Sequence, residues 1–222
     1  MDILNAQVQK NIRITFVEDV LGTCSANPEL HDEFIASKAP DAKTREDEVA
    51  ALGVGDAIEK EMTIFPRLDD GTPFFWGYQV EGFIKAAIKT VKNHWPKSEC
   101  AKIKANKQTV DTAIFAYAYN PQGDKIKSTK IRAQLPKGGV VGDCQRSLRA
   151  DTAQGARTAL AHSESLPAGT ELELTICIAP VLYKGVDADE ALKEILDYGL
   201  LNGIGQWRNS GKGRFVWEEI NA

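Results

Sequence analysis

Near the C-terminal end of the sequence, glycines alternate with basic and aromatic residues in a pattern that suits anion binding. Residues 203–214 read GIGQWRNSGKGR. Glycines let the backbone adopt positive φ angles and let a ligand approach closely, and such turns aim several N–H groups at one anion. The loop glycines are Gly203, Gly205, Gly211 and Gly213, and the side chains expected to contact a phosphate backbone are Trp207, Arg208, Lys212 and Arg214. A surface loop with incidental basic residues has the same composition, so the pattern alone leaves both readings open.

Further basic residues concentrate in the middle of the chain. The formal net charge is −4, but residues 85–157 hold an excess of lysine and arginine, while both flanking segments hold an excess of aspartate and glutamate. The candidate phosphate contacts in this segment are Lys85, Lys89, Lys127, Lys130 and Arg132. Single-stranded nucleic acid is held by positive grooves with aromatic platforms. The segment predicts a positive face, unless folding interleaves the charges.

Catalysis has one candidate residue, His31. A metal-independent ribonuclease needs a base to deprotonate a 2′-hydroxyl and an acid for the leaving oxygen. The acids Glu29, Asp32 and Glu33 flank His31 and would repel phosphate, so no catalytic residue is assigned and a binding protein is expected rather than an enzyme. Histidines and paired acids show no metal-ligand spacing, so neither a metal nor another cofactor is expected.

Hydrophobic periodicity predicts the elements that carry these residues. Apolar residues at helical spacing from Val80 to Val91 predict a helix over 80–94 that packs on a sheet. The remaining predicted helices lie at 29–37, near 45–52 and in 188–200. The predicted strands lie at 11–17, 59–65, 109–119, 125–135, 171–179 and 214–217, with one more strand and a basic loop within 146–161.

The order of these elements predicts an α+β fold. A ferredoxin-like (RRM-like) βαββαβ core with an antiparallel sheet, an inserted basic hairpin region and a C-terminal glycine-rich loop fits the order. We expect a single domain over residues 1–222, with 97–165 as an insertion or hairpin subregion. The strand at 171–179 is expected beside the last strand, at 213–218.

The cellular setting is expected to be the cytoplasm, without a membrane partner. The N-terminal sequence does not resemble a signal peptide, and no apolar run reaches the roughly 18 residues of a membrane helix. The four cysteines are scattered and form no CxxC pair, which favours a reducing compartment.

Three stretches together resemble the RAMP superfamily, whose members form backbone and processing subunits of CRISPR effector complexes. IGQWRNSGKGRFVW at 204–217 is similar to their glycine-rich loop and last strand, and DGTPFFWGYQVEGFIKAAI at 70–88 is similar to their glycine-and-lysine helix segment. ESLPAGTELELTICI at 164–178 is similar to the strand before their last helix. Where the family's first strand leads into a Gly-x-Gly turn, this chain has LGTCSANPEL, with one glycine.

The resemblance implies binding of single-stranded RNA or DNA, with RNA favoured, and self-association along the nucleic acid. Two alternatives remain open. One is a viral or mobile-element interaction protein that engages a defence complex or a small nucleotide, with a protein partner at the acidic N-terminal third. The other is a metal-independent endoribonuclease.

Overall fold

A computed structural model describes residues 7–25, 62–104, 107–121, 127–152 and 155–220, which form an α+β structure with mostly antiparallel sheets. The described strands are β1 (Val8–Phe16), β2 (Val20–Leu21), β3 (Cys24–Ser25), β4 (Met62–Ile64), β5 (Phe74–Trp76), β6 (Ile114–Ala118), β7 (Lys130–Gln134), β8 (Gly142–Thr152), β9 (Gly155–Leu166), β10 (Glu171–Ile178) and β11 (Phe215–Glu219). The described α-helices are α1 (Gly77–His94), α2 (Lys107–Ala113) and α3 (Ala188–Asp197). The predicted fold class, α+β with antiparallel sheet pairing, is confirmed at this level.

The main sheet has the order β11-β1-β10-β7-β5, and β6 also pairs with β10. Neighbouring strands in this sheet are antiparallel throughout. Strand β10 is central, because β1 occupies one of its edges while β6 and β7 share the other. Alternate residues of β1, namely Ile12, Ile14 and Phe16, are buried against the helices.

The sheet order corrects one expectation from the sequence. Strands β10 and β11 lie in the same sheet but are not neighbours, because β1 lies between them and Ile14 pairs with both Leu172 and Trp217. The physical reason is the connection through α3. After α3 the chain returns as β11, which runs parallel to β10. The antiparallel strand β1 fits between these two parallel strands.

Helix α1 packs on the sheet as its periodicity predicts. Its buried stripe consists of Gly77, Val80, Phe83, Ile84, Ala87, Ile88 and Val91. The helix begins three residues before the predicted start, since Gln79 Oε1 accepts a hydrogen bond from the backbone N–H of Trp76 (2.9 Å). Helix α3 is capped by Asp187, whose carboxylate accepts from the N–H groups of Asp189 and Glu190.

The predicted strand at 109–119 is wrong in its first part, because residues 107–113 form α2 and the strand begins at Ile114. Val110 and Ala113 are both buried. Their spacing of three residues places them on one helical face, whereas a strand would have put them on opposite faces. The Thr112 hydroxyl donates to Gln108 O (3.1 Å), as it does within a helix.

A second sheet contains β8 and β9 as a long antiparallel hairpin, and β9 also pairs with β2 and, in parallel, with β4. The sequence predicted one strand and a basic loop at 146–161, so this expectation is wrong. Continuous pairing from Gly142↔Ser165 to Thr152↔Gly155 satisfies the backbone groups of both segments. Residues 97–165 therefore contribute to both sheets, since β6 and β7 belong to the main sheet and β8 belongs to the second. Among the described residues, no helix is long and apolar enough to cross a membrane.

Candidate nucleic-acid interface

The glycine loop, which we define as residues 203–213, has its two ends joined to each other and its C-terminal end fixed to the turn between β1 and β2. The N–H of Gly213 donates to Asp19 O (2.8 Å), and the N–H of Ile204 donates to Gly213 O (2.9 Å). A Cβ atom on Gly213 would lie 1.8 Å from Ile204 O, and φ at this residue is +72°. Only glycine fits such an approach, so the loop glycines hold a defined backbone shape.

Trp207 projects from the loop in a left-handed backbone conformation, with φ of 55° and ψ of 36°. Its side chain is 40% exposed, which confirms the exposure expected from the polar residues around it. The guanidinium carbon of Arg146 lies 5.5 Å from the centroid of the indole ring, within the range of a cation–π interaction. The ring is therefore oriented by a cation as well as by its backbone.

The three cations of the loop segment differ in their partners. Lys212 Nζ lies 2.9 Å from Asp19 Oδ2, and Arg214 Nη2 lies 3.0 Å from Glu18 Oε1. These two ion pairs tie the loop to the turn between β1 and β2. Arg208 is exposed and forms no ion pair with any residue that the structure describes. Arg208 is thus the loop cation that is available to an external anion.

Arg146 belongs to this site, although it is not among the contacts predicted from the sequence. It lies on β8 and is only 9% exposed. Its Nη1 donates to Ser163 Oγ (3.1 Å), its Nη2 donates to Gln206 Oε1 (2.6 Å), and its buried Nε has no partner. Within the described part of the chain, no carboxylate pairs with it. A buried guanidinium with only neutral partners is costly, and such a group favours an anion.

A cavity of about 570 Å³ opens between the glycine loop, the N-terminal half of α1 and the edge of the second sheet. Its lining residues are Thr23, Cys24, Ser25, Thr63, Phe75, Tyr78, Gln79, Gly82, Phe83, Ala86, Ile204, Gly205 and Arg208. Two of these are well placed at its mouth, since Tyr78 is 39% exposed and a Cβ atom on Gly82 would meet nothing within 4 Å. The cavity therefore has open space beside Arg208.

A polar chain connects this cavity with Arg146. Thr63 in the cavity wall donates its hydroxyl to Ser163 Oγ (2.7 Å), and Ser163 accepts in turn from Arg146. Gln79 donates from its amide to Thr23, which fixes another polar edge of the cavity. The hairpin, the glycine loop and the cavity wall are thereby held as one arrangement.

The basic residues of α1 divide between two faces. Lys85 Nζ lies 3.8 Å from Glu81 and 3.9 Å from Asp111, so Lys85 faces α2 rather than the cavity. Lys89 is exposed and falls on the helical stripe of Gly82 and Ala86, which line the cavity. Burial raises the pKa of Glu81, which also accepts from the N–H of Ala116 (3.1 Å).

The basic residues around β7 lie away from the glycine loop. Lys130 Nζ is 5.6 Å from the centroid of the Trp76 ring, and Lys127 Nζ is 5.7 Å from that of Tyr117. Arg132 Nη1 lies 2.7 Å from Asp70 Oδ2. Hydrogen bonds from the backbone and hydroxyl of Thr72, together with Arg132, lower the pKa of Asp70 to about 2. Arg132 is thus already paired with a strong acid.

Lys130 nevertheless adjoins the cavity region through aromatic rings. Trp76 stacks with Tyr78 at a centroid distance of 6.5 Å and an interplanar angle of 10°, and Tyr78 lines the cavity. The structure therefore brings Trp207, Arg208 and Arg146 together beside the cavity. Lys89 and Lys130 lie at the margins of the cavity. Lys85, Lys127 and Arg132 have separate surroundings.

Two further expectations concern catalysis and metals. His31 and the helices predicted at 29–37 and 45–52 lie outside the residues that the structure describes, as does most of the acidic N-terminal third. Among the residues described, no group of three or more His, Cys, Asp or Glu side chains is placed to hold a metal ion. A comparison of the sequence with protein-family models finds no match, and a comparison with curated proteins finds none either.

Proposed function

We propose that this protein binds single-stranded nucleic acid, with RNA as the favoured form, at the glycine loop. The observation that carries the proposal is the presence of an exposed aromatic ring, Trp207, beside an exposed cation, Arg208, that pairs with no described acid, on a loop whose glycines pack closely against its own backbone. Stacking rings and phosphate-binding cations are the two contacts that single strands require. Arg146 supports the ring from behind and adds positive charge.

We further propose that the chain is a RAMP-like protein with a ferredoxin-like core. The strand order β11-β1-β10-β6, with α1 between β1 and β6 and α3 between β10 and β11, supports this assignment. A βαββαβ chain with two split βαβ units produces this order. The glycine loop before the last strand supports the same family, as in the sequence resemblance.

The carboxylates around Arg13 on the main sheet favour the glycine loop, rather than this part of the sheet, as the binding site. Arg13 on β1 is surrounded by carboxylates, with Glu173 and Glu218 each 2.7 Å away and Glu171 3.5 Å away. Three acids around one arginine make the surroundings of Arg13 acidic, which repels phosphates. A strand bound at the loop is therefore expected to avoid the centre of the sheet.

Direct binding tests the proposal. Fluorescence anisotropy with unstructured RNA, single-stranded DNA and duplex RNA of equal length, in EDTA, is expected to show binding to both single strands and weaker binding to the duplex. Recovery of intact RNA from the same samples separates binding from cleavage. Failure to bind any single strand at low salt rejects the function, and cleavage in EDTA supports an endoribonuclease instead.

A further inference from the structure

We infer that the cavity beside the glycine loop receives one unstacked nucleobase of the bound strand, with the adjoining phosphate held by Arg208 and attracted by the buried charge of Arg146. This inference rests on the proposed function and assigns the ligand of one part of its site: a single nucleotide unit rather than an extended backbone. A single nucleotide unit fits a cavity that the glycine loop lines on one side.

The size and position of the cavity fit one nucleotide. Its volume of about 570 Å³ falls within the roughly 300–1,000 Å³ of pockets that enclose small ligands. Arg208 and Gly205 of the loop line the cavity on one side, and Tyr78 and Ala86 line it on the α1 side. A base that enters between these two sides keeps its phosphate at the loop.

The lining chemistry fits the flat apolar faces and the polar edges of a base. Phe75, Phe83 and Ile204 form an apolar floor, and each is at least nine-tenths buried. Thr23 and Thr63 offer hydroxyl groups at the wall. Proteins recognise unpaired bases with apolar contact to the faces and hydrogen bonds to the edges. Tyr78, which is 39% exposed, offers the ring that a base entering the mouth meets first.

The buried charge of Arg146 points to the phosphate. Arg146 is more than nine-tenths buried, and its Nε lacks a hydrogen-bond partner. Its two terminal nitrogens hold Ser163 and Gln206, both neutral, and its guanidinium lies against Trp207. Gln206 directly follows the cavity residue Gly205. A phosphate that reaches Arg208 at the mouth is also attracted to this second cation, with which no carboxylate of the described residues pairs.

Gly82 offers a way to close the cavity without disturbing the fold. It lies on the exposed side of α1, and a Cβ atom there would have no neighbour within 4 Å. Gly82→Leu fills the mouth, whereas Gly82→Ala adds one methyl group and serves as the matched control. Both changes favour the helix over glycine, so unfolding is not the expected result of either.

The test compares a single-stranded RNA with an RNA of the same length in which the central nucleotides lack their bases. The parent protein and Gly82→Ala are expected to bind the base-bearing strand at least tenfold more tightly. Gly82→Leu is expected to lose this preference while its dependence on salt concentration stays unchanged. A 2-aminopurine placed in the strand is expected to brighten on binding to the parent, as it does when unstacked, and not on binding to Gly82→Leu.

Competition by small ligands tests the contribution of the phosphate to binding without any variant. A nucleoside monophosphate is expected to compete with the RNA at least tenfold better than the corresponding nucleoside. Equal binding of base-bearing and base-free strands by the parent, or an unchanged preference in Gly82→Leu, overturns the inference and leaves single-strand binding intact. If neither strand binds, the proposed function itself is rejected.

Discussion

At the scale of single residues, Trp207 shows how the site combines strain with exposure. It is the one described non-glycine residue with positive φ, a conformation that costs L-residues about 1–2 kcal/mol. Its exposure was predictable from the polar residues beside it. Its conformation and its contact with Arg146 were not, because both depend on a hairpin about 60 residues earlier in the chain.

Replacing Trp207 by asparagine separates the two properties. Asparagine tolerates the left-handed region, so Trp207→Asn is expected to unfold at the same or higher urea concentration than the parent. The loss of stacking is expected to weaken RNA binding by about 1–3 kcal/mol without changing the salt dependence. Trp95→Ala, which removes another exposed tryptophan (46%) at the far end of α1, is the control. A parent-like affinity of Trp207→Asn contradicts the stacking role.

The contribution of Asp70 to stability is expected to depend on pH. Folding lowers its pKa from 3.8 to about 2, so the ionised carboxylate stabilises the folded state above about pH 4, and this contribution is lost as the pH falls through about 2. Asp70→Asn is therefore expected to lower the free energy of unfolding at pH 6, with a difference from the parent that shrinks between pH 4 and pH 2. Urea unfolding across this range measures it, with Asp69→Asn as the control in the same turn. A difference independent of pH argues against a lowered pKa of Asp70 in the folded state.

At the scale of elements, local periodicity was sufficient to predict individual helices and strands. It did not predict which strands pair with each other. Helix α1 and strand β10 were predicted almost to their ends because their buried residues repeat at 3.6 and 2 residues. A hairpin was expected within 97–165, but the two strands β8 and β9 were not assigned because their alternation is weak. The position of β1 between β10 and β11 depends on contacts about 200 residues apart. For the same reason the ion pairs of Lys212 and Arg214 with Asp19 and Glu18 were not visible in the sequence.

The backbone of the glycine loop is expected to depend on glycine at position 213. Gly213 and Gly71 both have positive φ, but only at Gly213 would a Cβ atom collide with backbone, 1.8 Å from Ile204 O. Gly71→Ala is expected to cost about 1–2 kcal/mol of stability. Gly213→Ala is expected to cost more and to abolish RNA binding, since the loop must open. Equal losses of stability in the two variants, measured by urea unfolding, would show that the loop closure does not depend on glycine.

At the scale of the whole molecule, the described charges differ between two places. The main sheet carries three glutamates around Arg13, while the glycine loop carries Arg208, which forms no ion pair with any described residue. A negative region and a positive site on one molecule allow successive copies to contact one another along a strand.

Self-association along nucleic acid is the prediction that follows from this difference in charge and from the family resemblance. Light scattering is expected to show one protein on a short oligonucleotide and several on a long one, with a mass that grows faster than independent binding predicts. Glu218→Gln, which removes an acid from the surroundings of Arg13, is expected to weaken the assembly on the long strand and to leave binding to the short one unchanged. One copy on each long strand at saturation contradicts the expectation.

The salt dependence of RNA binding tests the central claim most directly. Lysines and arginines that contact phosphates release counterions, so removing one contact lowers the slope of log affinity against log salt by about 0.7 for a single strand. Arg208→Ala is expected to show this decrease and weaker binding for every sequence. Lys184→Ala, which removes an exposed lysine beyond the opposite end of β10, is expected to match the parent. If Arg208→Ala binds like the parent at every salt concentration, the glycine loop does not hold the nucleic acid.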